Sequence, residues 1–300
     1  MTSTKPLQHG YYSVTESKGS PRVWLQGSNL STANFTKGTP YEVIYNIDTQ
    51  TVILRVLEKT NAKCRVVSGR KKPNGDHTPI IDLATMDLLD VTKGALKVRA
   101  DFYENEVHIS IHHLETKQLA REQRLKDNLT KGEITKGVLC CGIGISAGAG
   151  HDGLADMGIK ARTEFIIDRE RKYLDVAVQN NHAVTSDTTI FEASLEEIEP
   201  ELLGYVDALS FSLPCTGMGA SGKAKNGIKF AEEHPTDATA ILGLIRVVDA
   251  CQPSILISEN VIPARNSATY ILLKGMLDVC GYHVNEIDLD SNDTNSMESR

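Results

Sequence analysis

The 300-residue sequence predicts a small, mainly-β domain followed by an α/β domain with a doubly wound sheet. Within residues 1–115, several runs are rich in β-branched and apolar residues or alternate them with polar ones, which is typical of strands. From residue 136 to residue 300, short apolar runs alternate with stretches of helical periodicity, which indicates a parallel sheet with helices. Residues 116–135 between them are polar and indicate a helix or a linker.

The strands predicted most clearly in the first domain are residues 41–47, 51–56 and 107–111. Asp48, Thr49 and Gln50 lie between the first two of them and suit a hairpin turn.

Residues 22–30 and 35–38, followed by the strand at Tyr41, resemble the SymE-type module, which is related to transcription factors of the AbrB type. The resemblance implies nucleic-acid binding, often as a dimer. A generic β-rich accessory domain is the alternative. The basic residues 66–72 form the candidate binding loop, although a charged hairpin tip is usually only solvated.

The first strand predicted in the second domain runs into a glycine turn. The apolar residues from Gly137 are followed by Cys141, Gly142, Ile143 and Gly144. Glycines at such a turn let the backbone approach a ligand closely, and the turn leads to a helix N-terminus. By itself a Gly-x-Gly turn is a weak signal, seen in many nucleotide-binding and unrelated proteins.

Two further strands end at residues that are suited to covalent chemistry. The run 206–211 is followed by Pro214 and Cys215, and the run 254–257 is followed by Glu259 and Asn260. Because ligands bind at the carboxyl ends of strands in open α/β sheets, we expect these segments to lie at one edge.

Cys215 is the candidate nucleophile, since a thiolate is a strong one when it is accessible and activated. Pro214 restricts the backbone just before it, and a Gly-, Ser- and Lys-rich loop is expected after it, over Ser221 to Asn226. Taken alone, a free cysteine is more often a small buried hydrophobe.

The order and spacing of these segments resemble the cytosine-C5 DNA methyltransferases. The resemblance covers residues 137–300 and implies an S-adenosylmethionine-dependent methyltransferase fold there. It also implies S-adenosylmethionine as the cofactor, held by a set of residues near the strand ends. This set comprises Cys141, Gly142, Ile143, Gly144, Asp168, Ser194 and Pro214.

The same resemblance implies a covalent mechanism. Cys215 would add to C6 of cytosine while Glu259 hydrogen-bonds or protonates N3, so that C5 can take the methyl group. Asn260 would orient the loop that carries Cys215. A base inside a duplex is inaccessible to a thiol, so the target nucleotide has to be flipped out.

Two positions depart from the family pattern at the cofactor site. Asp168 matches the acidic residue that holds the ribose hydroxyls, but Ile166 replaces its usual Glu partner. Where the family usually has an Asp for the adenine amine, Ser194 or Glu192 has to serve.

The end of the sequence departs further. Residues 289–300 resemble the segment that leads to a Gln-x-Arg-x-Arg motif, with Glu298 at the Gln position and Arg300 at the first Arg. The second arginine, the target-recognition region and the final helix have no counterpart. We therefore expect a fragment or one subunit of a split enzyme, completed by a second polypeptide.

Charge is divided unevenly along the chain. Residues 1–131 contain 19 basic and 14 acidic residues, whereas the remainder contains 13 basic and 25 acidic residues. An acidic catalytic half is poorly suited to a polyanion by itself, so the first domain or a missing part must supply positive surface to DNA.

The six cysteines include no Cys-x-x-Cys pair, and the adjacent Cys140 and Cys141 are predicted to lie in a buried strand. This pattern argues against a zinc site and a disulfide framework. Without a signal peptide or a long apolar run, we expect a soluble cytoplasmic protein. Two other functions stay open, namely a catalytically incomplete nucleic-acid-binding or regulatory subunit and an RNA cytosine-C5 methyltransferase. The restriction-modification type of organisation favours DNA.

Overall fold

A computed structural model describes residues 5–60, 62 and 64–289. The chain divides into two compact units, Met1–Thr116 and Lys117–Arg300. Within the described residues, no helix is both long enough and apolar enough to span a membrane.

The first unit is mainly β, as predicted. Its elements are β1 (Gln8–Ser17), β2 (Ser20–Gln26), α1 (Ser28–Thr32), β3 (Pro40–Asn46), β4 (Thr51–Val56), β5 (Arg65–Val66), β6 (Ser68–Lys71), β7 (His77–Ala84), α2 (Asp87–Thr92), β8 (Lys97–Tyr103) and β9 (Glu106–Ile111). The three predicted strands are therefore confirmed as β3, β4 and β9, and the predicted turn joins β3 to β4.

The nine strands that the described residues of this unit form make one antiparallel sheet in the order β5-β3-β4-β9-β8-β1-β2-β7-β6. Its two outer strands, β5 and β6, are separated in the chain by Val67, which is 2% exposed. The sheet therefore curls around a core that includes Phe35 and Phe102.

The expectation of a basic loop at residues 66–72 is wrong for most of its length. Val66 pairs with β3, and Ser68 to Lys71 pair with β7, so the basic side chains lie mainly on strands. Main-chain pairing on both sides of Val67 determines this conformation, and a polar sequence does not reveal such pairing.

The second unit contains α3 (His113–Lys131), β10 (Glu133–Leu139), α4 (Ile145–Asp156), β11 (Lys160–Asp168), α5 (Arg171–Asn180), β12 (Thr189–Glu192), β13 (Ala208–Phe211), α6 (Ala220–Asn226), α7 (Pro235–Cys251), β14 (Ile255–Ser258) and α8 (Ala268–Val279). The five strands described up to residue 289 are all parallel, in the order β12-β11-β10-β13-β14. This confirms the predicted parallel α/β sheet. Helix α3 occupies most of the polar stretch 116–135.

Alternate residues of the central strands pack on opposite faces of this sheet. Val138 packs with Leu174 of α5, whereas Leu139 packs with a cluster that includes Leu244 of α7 and Leu273 of α8. The alternation follows from the two-residue period of a strand, and helices therefore cover both faces.

Two local expectations are corrected. Ser221 to Asn226 lie in helix α6 rather than in a loop, where Gly222 packs closely against the carbonyl of Thr216. Cys140 and Cys141 lie just beyond strand β10 rather than within it, and Cys140 has a left-handed φ of 50°.

Candidate active site

The carboxyl ends of four neighbouring strands are aligned by their register. Leu139 of β10 pairs with Ile167 of β11 on one side and with Phe211 of β13 on the other. Phe211 in turn pairs with Ser258 of β14. The segments that follow these four residues therefore begin at one edge of the sheet, where α/β proteins bind ligands.

Two side chains, those of Ser212 and Asn260, join the segment before Cys215 to the segment that contains Glu259. The Ser212 hydroxyl lies 3.2 Å from the Glu259 carbonyl oxygen and 3.3 Å from its Oε2. Asn260 Nδ2 donates to the Leu213 carbonyl oxygen at 3.0 Å. The side chains of consecutive residues thus continue the β13–β14 pairing beyond the strands.

Cys215 follows this junction and has an exposed side chain, while Pro214 before it is half-buried. The Met218 amide donates to the Cys215 carbonyl oxygen at 3.0 Å, which closes a tight turn after the cysteine. A Cβ at Gly222 would lie 1.8 Å from the Thr216 carbonyl oxygen, so helix α6 needs glycine there to pack against this turn. The cysteine side chain is therefore accessible, and the turn that follows it is fixed by its packing against helix α6.

The glycine turn after β10 is held by its own backbone and by Asn181, the residue that follows α5. The Gly144 amide donates to the Cys141 carbonyl oxygen at 2.9 Å, and both Gly142 and Gly144 have positive φ, at 53° and 85°. Asn181 Nδ2 donates to the Gly144 carbonyl oxygen, and Ile143 between the glycines is 44% exposed. Helix α4 begins directly after the turn.

Asp168 lies against the same turn. Its Oδ2 accepts a hydrogen bond from the Gly142 amide at 2.8 Å, and its Oδ1 accepts one from the Glu170 amide at 2.9 Å. Ser194 follows a residue that contacts Asp168, because the Ala193 amide donates to the Asp168 carbonyl oxygen. The Glu197 amide donates to the Ser194 carbonyl oxygen at 3.0 Å, and the Ser194 amide donates to Glu197 Oε2 at 3.0 Å, which closes the short turn Leu195–Glu197.

The cysteines at this edge differ in their chemistry. Burial, with a contribution from the Asp168 carboxylate, raises the pKa values of the Cys140 and Cys141 thiols to about 12. These two thiols therefore stay protonated at neutral pH, and a protonated thiol is a poor nucleophile. Cys215 is the exposed cysteine of this edge.

The turn fits the cofactor that the sequence implies. Gly142 leaves open space, since an added Cβ would meet no atom within 4 Å, whereas Asn181 covers Gly144. Both glycines have a positive φ that would strain another residue, and the Asp168 carboxylate lies beside Gly142. Sequence reasoning missed three residues of this arrangement, namely Ser212, Asn181 and Gly222. The predicted roles of Glu298 and Arg300 lie outside the described residues. No cluster of His, Cys, Asp or Glu that could hold a metal ion is found among the described residues.

A parallel sheet with a glycine turn after its central strand β10 is the architecture that the sequence implies for an S-adenosylmethionine-dependent methyltransferase domain. A model of the family described as C-5 cytosine-specific DNA methylase matches residues 138–300, which is more than half of the chain. The chain belongs to this family, and S-adenosylmethionine is its cofactor.

Several solved methyltransferases are similar to the chain. One is a candidate class I S-adenosylmethionine-dependent methyltransferase from Listeria monocytogenes, at 12% identity and a TM-score of 0.36, with 55% of this chain and 50% of that one covered. A TehB-like enzyme from Corynebacterium glutamicum has 13% identity and a TM-score of 0.32, with 55% and 74% covered. A precorrin-6y C5,15-methyltransferase from Geobacter metallireducens has 16% identity and a TM-score of 0.31, with 56% and 72% covered. No curated protein matches the sequence.

Proposed function

We propose that this protein transfers a methyl group from S-adenosylmethionine to C5 of a flipped cytosine in DNA, through a covalent adduct with Cys215. The observation that carries the proposal is the junction at the sheet edge. The Ser212–Glu259 and Leu213–Asn260 contacts tie the strand end that leads to the exposed Cys215 to the strand end that carries Glu259. A nucleophile and a carboxyl group that act on the same base must lie close together, and these contacts hold their two segments side by side.

In the proposed reaction, the Cys215 thiolate forms a bond to C6 of the cytosine while Glu259 hydrogen-bonds or protonates N3. Electron density then builds up at C5, which would form a bond to the methyl carbon as the bond between that carbon and the sulfonium sulfur breaks, so that the sulfur leaves as a neutral thioether. Loss of the C5 proton to a base and of the Cys215 sulfur from C6 restores the aromatic ring and the free thiolate. Covalent catalysis of this kind replaces one difficult step with easier ones.

Residues at the neighbouring strand ends are proposed to bind the cofactor, which supplies an electrophilic methyl group. Asp168 would accept hydrogen bonds from the ribose hydroxyls, and the glycine turn would face the cofactor with its backbone. The other proposed contacts are Cys141, Ile143, Ser194 and Pro214. The strand order, with helices on both faces, supports a doubly wound sheet in which Cys141, Asp168 and Pro214 lie at the ends of central strands. Ser194 follows the edge strand β12.

DNA is the proposed substrate because of the family match. Acidic residues outnumber basic ones after residue 131, so this part of the chain is poorly suited to bind DNA phosphates. The positive surface for DNA would lie either on the first unit or on a second polypeptide. We propose such a polypeptide as a partner that completes target recognition.

The test is transfer of radiolabelled methyl from S-adenosylmethionine to DNA, with transfer RNA as a parallel substrate. DNA containing 5-fluorocytosine serves as a covalent trap, since fluorine at C5 blocks loss of the proton. We expect label and a trapped adduct with wild type and Cys64→Ala, and neither with Cys215→Ala. Binding of the cofactor with neither labelled DNA nor a trapped adduct would contradict the proposal. Label in transfer RNA but not in DNA would show that RNA is the substrate.

A further inference from the structure

We infer that Ser212 is a positioning residue that orients the Glu259 carboxyl group toward the substrate base. The inference rests on the proposed function, because it gives Ser212 a role only if Glu259 acts on cytosine. Its basis is the contact between the Ser212 hydroxyl and both the carbonyl oxygen and Oε2 of Glu259, at 3.2 Å and 3.3 Å.

The placement of Ser212 follows from the sheet. Phe211 and Ser258 are the last paired residues of two adjacent parallel strands, so Ser212 and Glu259 are the next residues on each side. A serine side chain is short and leaves its hydroxyl close to the backbone. From this position it reaches both the main chain and the side chain of Glu259.

Glu259 needs such a contact because its side chain is exposed. An exposed glutamate has several rotatable bonds, and fixing it in one orientation costs conformational entropy. A hydroxyl has one proton, so Ser212 donates either to the carbonyl oxygen or to Oε2 at any moment. When it donates to Oε2, the rotation of the carboxyl group is restricted and Oε1 is left for the base.

The hydrogen bond between Asn260 and Leu213 restricts the geometry of the Ser212–Glu259 contact. Asn260 holds the Leu213 carbonyl oxygen one residue further along both segments. The backbones on which Ser212 and Glu259 are carried are thereby fixed relative to each other. Ser212 consequently acts from a rigid position, and it acts on the base only through the carboxyl group of Glu259.

The test compares Ser212→Ala with Ser212→Thr, which keeps the hydroxyl. Ser258→Ala is the matched control, because Ser258 is exposed and adjacent to Glu259, but neighbouring strand residues point to opposite faces. Initial rates on DNA give kcat and KM, calorimetry gives the dissociation constant of S-adenosylmethionine, and 5-fluorocytosine DNA gives the rate of adduct formation.

For Ser212→Ala we expect kcat and the adduct rate to fall by about 3- to 10-fold, the range for one hydrogen bond. KM and the cofactor dissociation constant stay within about twofold of wild type, Ser212→Thr recovers most of the rate, and Ser258→Ala is unchanged. An unaltered kcat in Ser212→Ala, or an equal loss in Ser212→Thr, overturns the positioning role. If wild type itself forms no adduct and transfers no methyl group, the proposed function fails, and this inference fails with it.

Discussion

Asn260 donates a hydrogen bond from Nδ2 to the Leu213 carbonyl oxygen at 3.0 Å, two residues before the exposed Cys215. Its Oδ1 accepts at the same time from the Val261 amide at 2.8 Å. One amide side chain therefore holds both segments of the junction. Leu213 is 7% exposed, so its carbonyl group has little access to replacement by water.

Asn260→Ala should reduce both stability and methyl transfer. Loss of the amide leaves the Leu213 carbonyl without this donor, and an unsatisfied buried acceptor costs about 1–3 kcal/mol. Denaturant unfolding measures the stability loss, and the methyl-transfer assay measures activity. In the control Asn180→Ala, the exposed Asn180 loses a bond to the Val176 carbonyl at a helix end, and we expect a change within about 0.5 kcal/mol. Equal stability and activity of the two variants would count against the role of Asn260.

Gly144→Ala should weaken cofactor binding. Gly144 has a φ of 85°, and an added Cβ would lie 2.5 Å from Asn181 Nδ2, so the turn and the Asn181 contact must both shift. Gly158→Ala is the matched control, because Gly158 also has a positive φ of 75° but has no atom within 4 Å of an added Cβ.

Calorimetric titration with S-adenosylmethionine distinguishes the two variants. Both should lose some stability, because positive φ disfavours alanine. Only Gly144→Ala should raise the dissociation constant, by about tenfold or more, which corresponds to about 1.4 kcal/mol. A similar dissociation constant in both variants would show that the glycine turn is not part of the cofactor site.

Sequence patterns could predict the strand ends of the catalytic unit, because each apolar run is followed by residues that end a strand. Gly142 and Pro214 are examples, since glycine and proline interrupt regular structure for steric reasons. That the strands run parallel then follows from the alternation of strands and helices. The edge of the sheet was therefore predictable, although the contacts made there were not.

Those contacts depend on which strands are neighbours. Ser212 meets Glu259 only because β13 pairs with β14, and these residues are far apart in the sequence. Helix α6 was missed for another reason. Glycine, serine and asparagine favour helices weakly, and the packing of Gly222 against Thr216 lies outside any local pattern.

Lys136 should make the stability of the second unit depend on pH. It is 6% exposed, and its ammonium group donates to the Ala147 carbonyl oxygen of α4 at 2.8 Å. Burial lowers the pKa of Lys136 from 10.5 to about 8, while the Asp152 carboxylate opposes this change. The unfolded chain therefore binds more protons between pH 8 and 10.5, and the contribution of Lys136 to stability rises with pH in that window.

Lys136→Met tests this directly, since methionine keeps much of the side-chain volume without the charge. We expect the variant to be more stable than wild type at pH 7, by on the order of 2–3 kcal/mol, with the difference shrinking above pH 8. The comparison between the two proteins removes the opposite contribution of Cys140 and Cys141, whose raised pKa values act in both. Denaturant unfolding at pH 7, 8 and 9 measures the free energy of unfolding of both proteins. A difference between them that stays constant over these pH values would exclude the lowered pKa of Lys136 as its cause.

Alkylation should separate Cys215 from the buried cysteines. Cys215 is exposed, whereas Cys141 and Cys251 are buried and have pKa values raised to about 12 by that burial. Because the thiolate is the species that reacts, Cys141 and Cys251 should stay unmodified in the native protein at pH 7.5 and react only after unfolding. Iodoacetamide labelling followed by peptide mass spectrometry measures each site over time. Methyl transfer should be lost at the same rate constant as Cys215 is modified. Retained activity after complete modification of Cys215 would rule it out as the nucleophile.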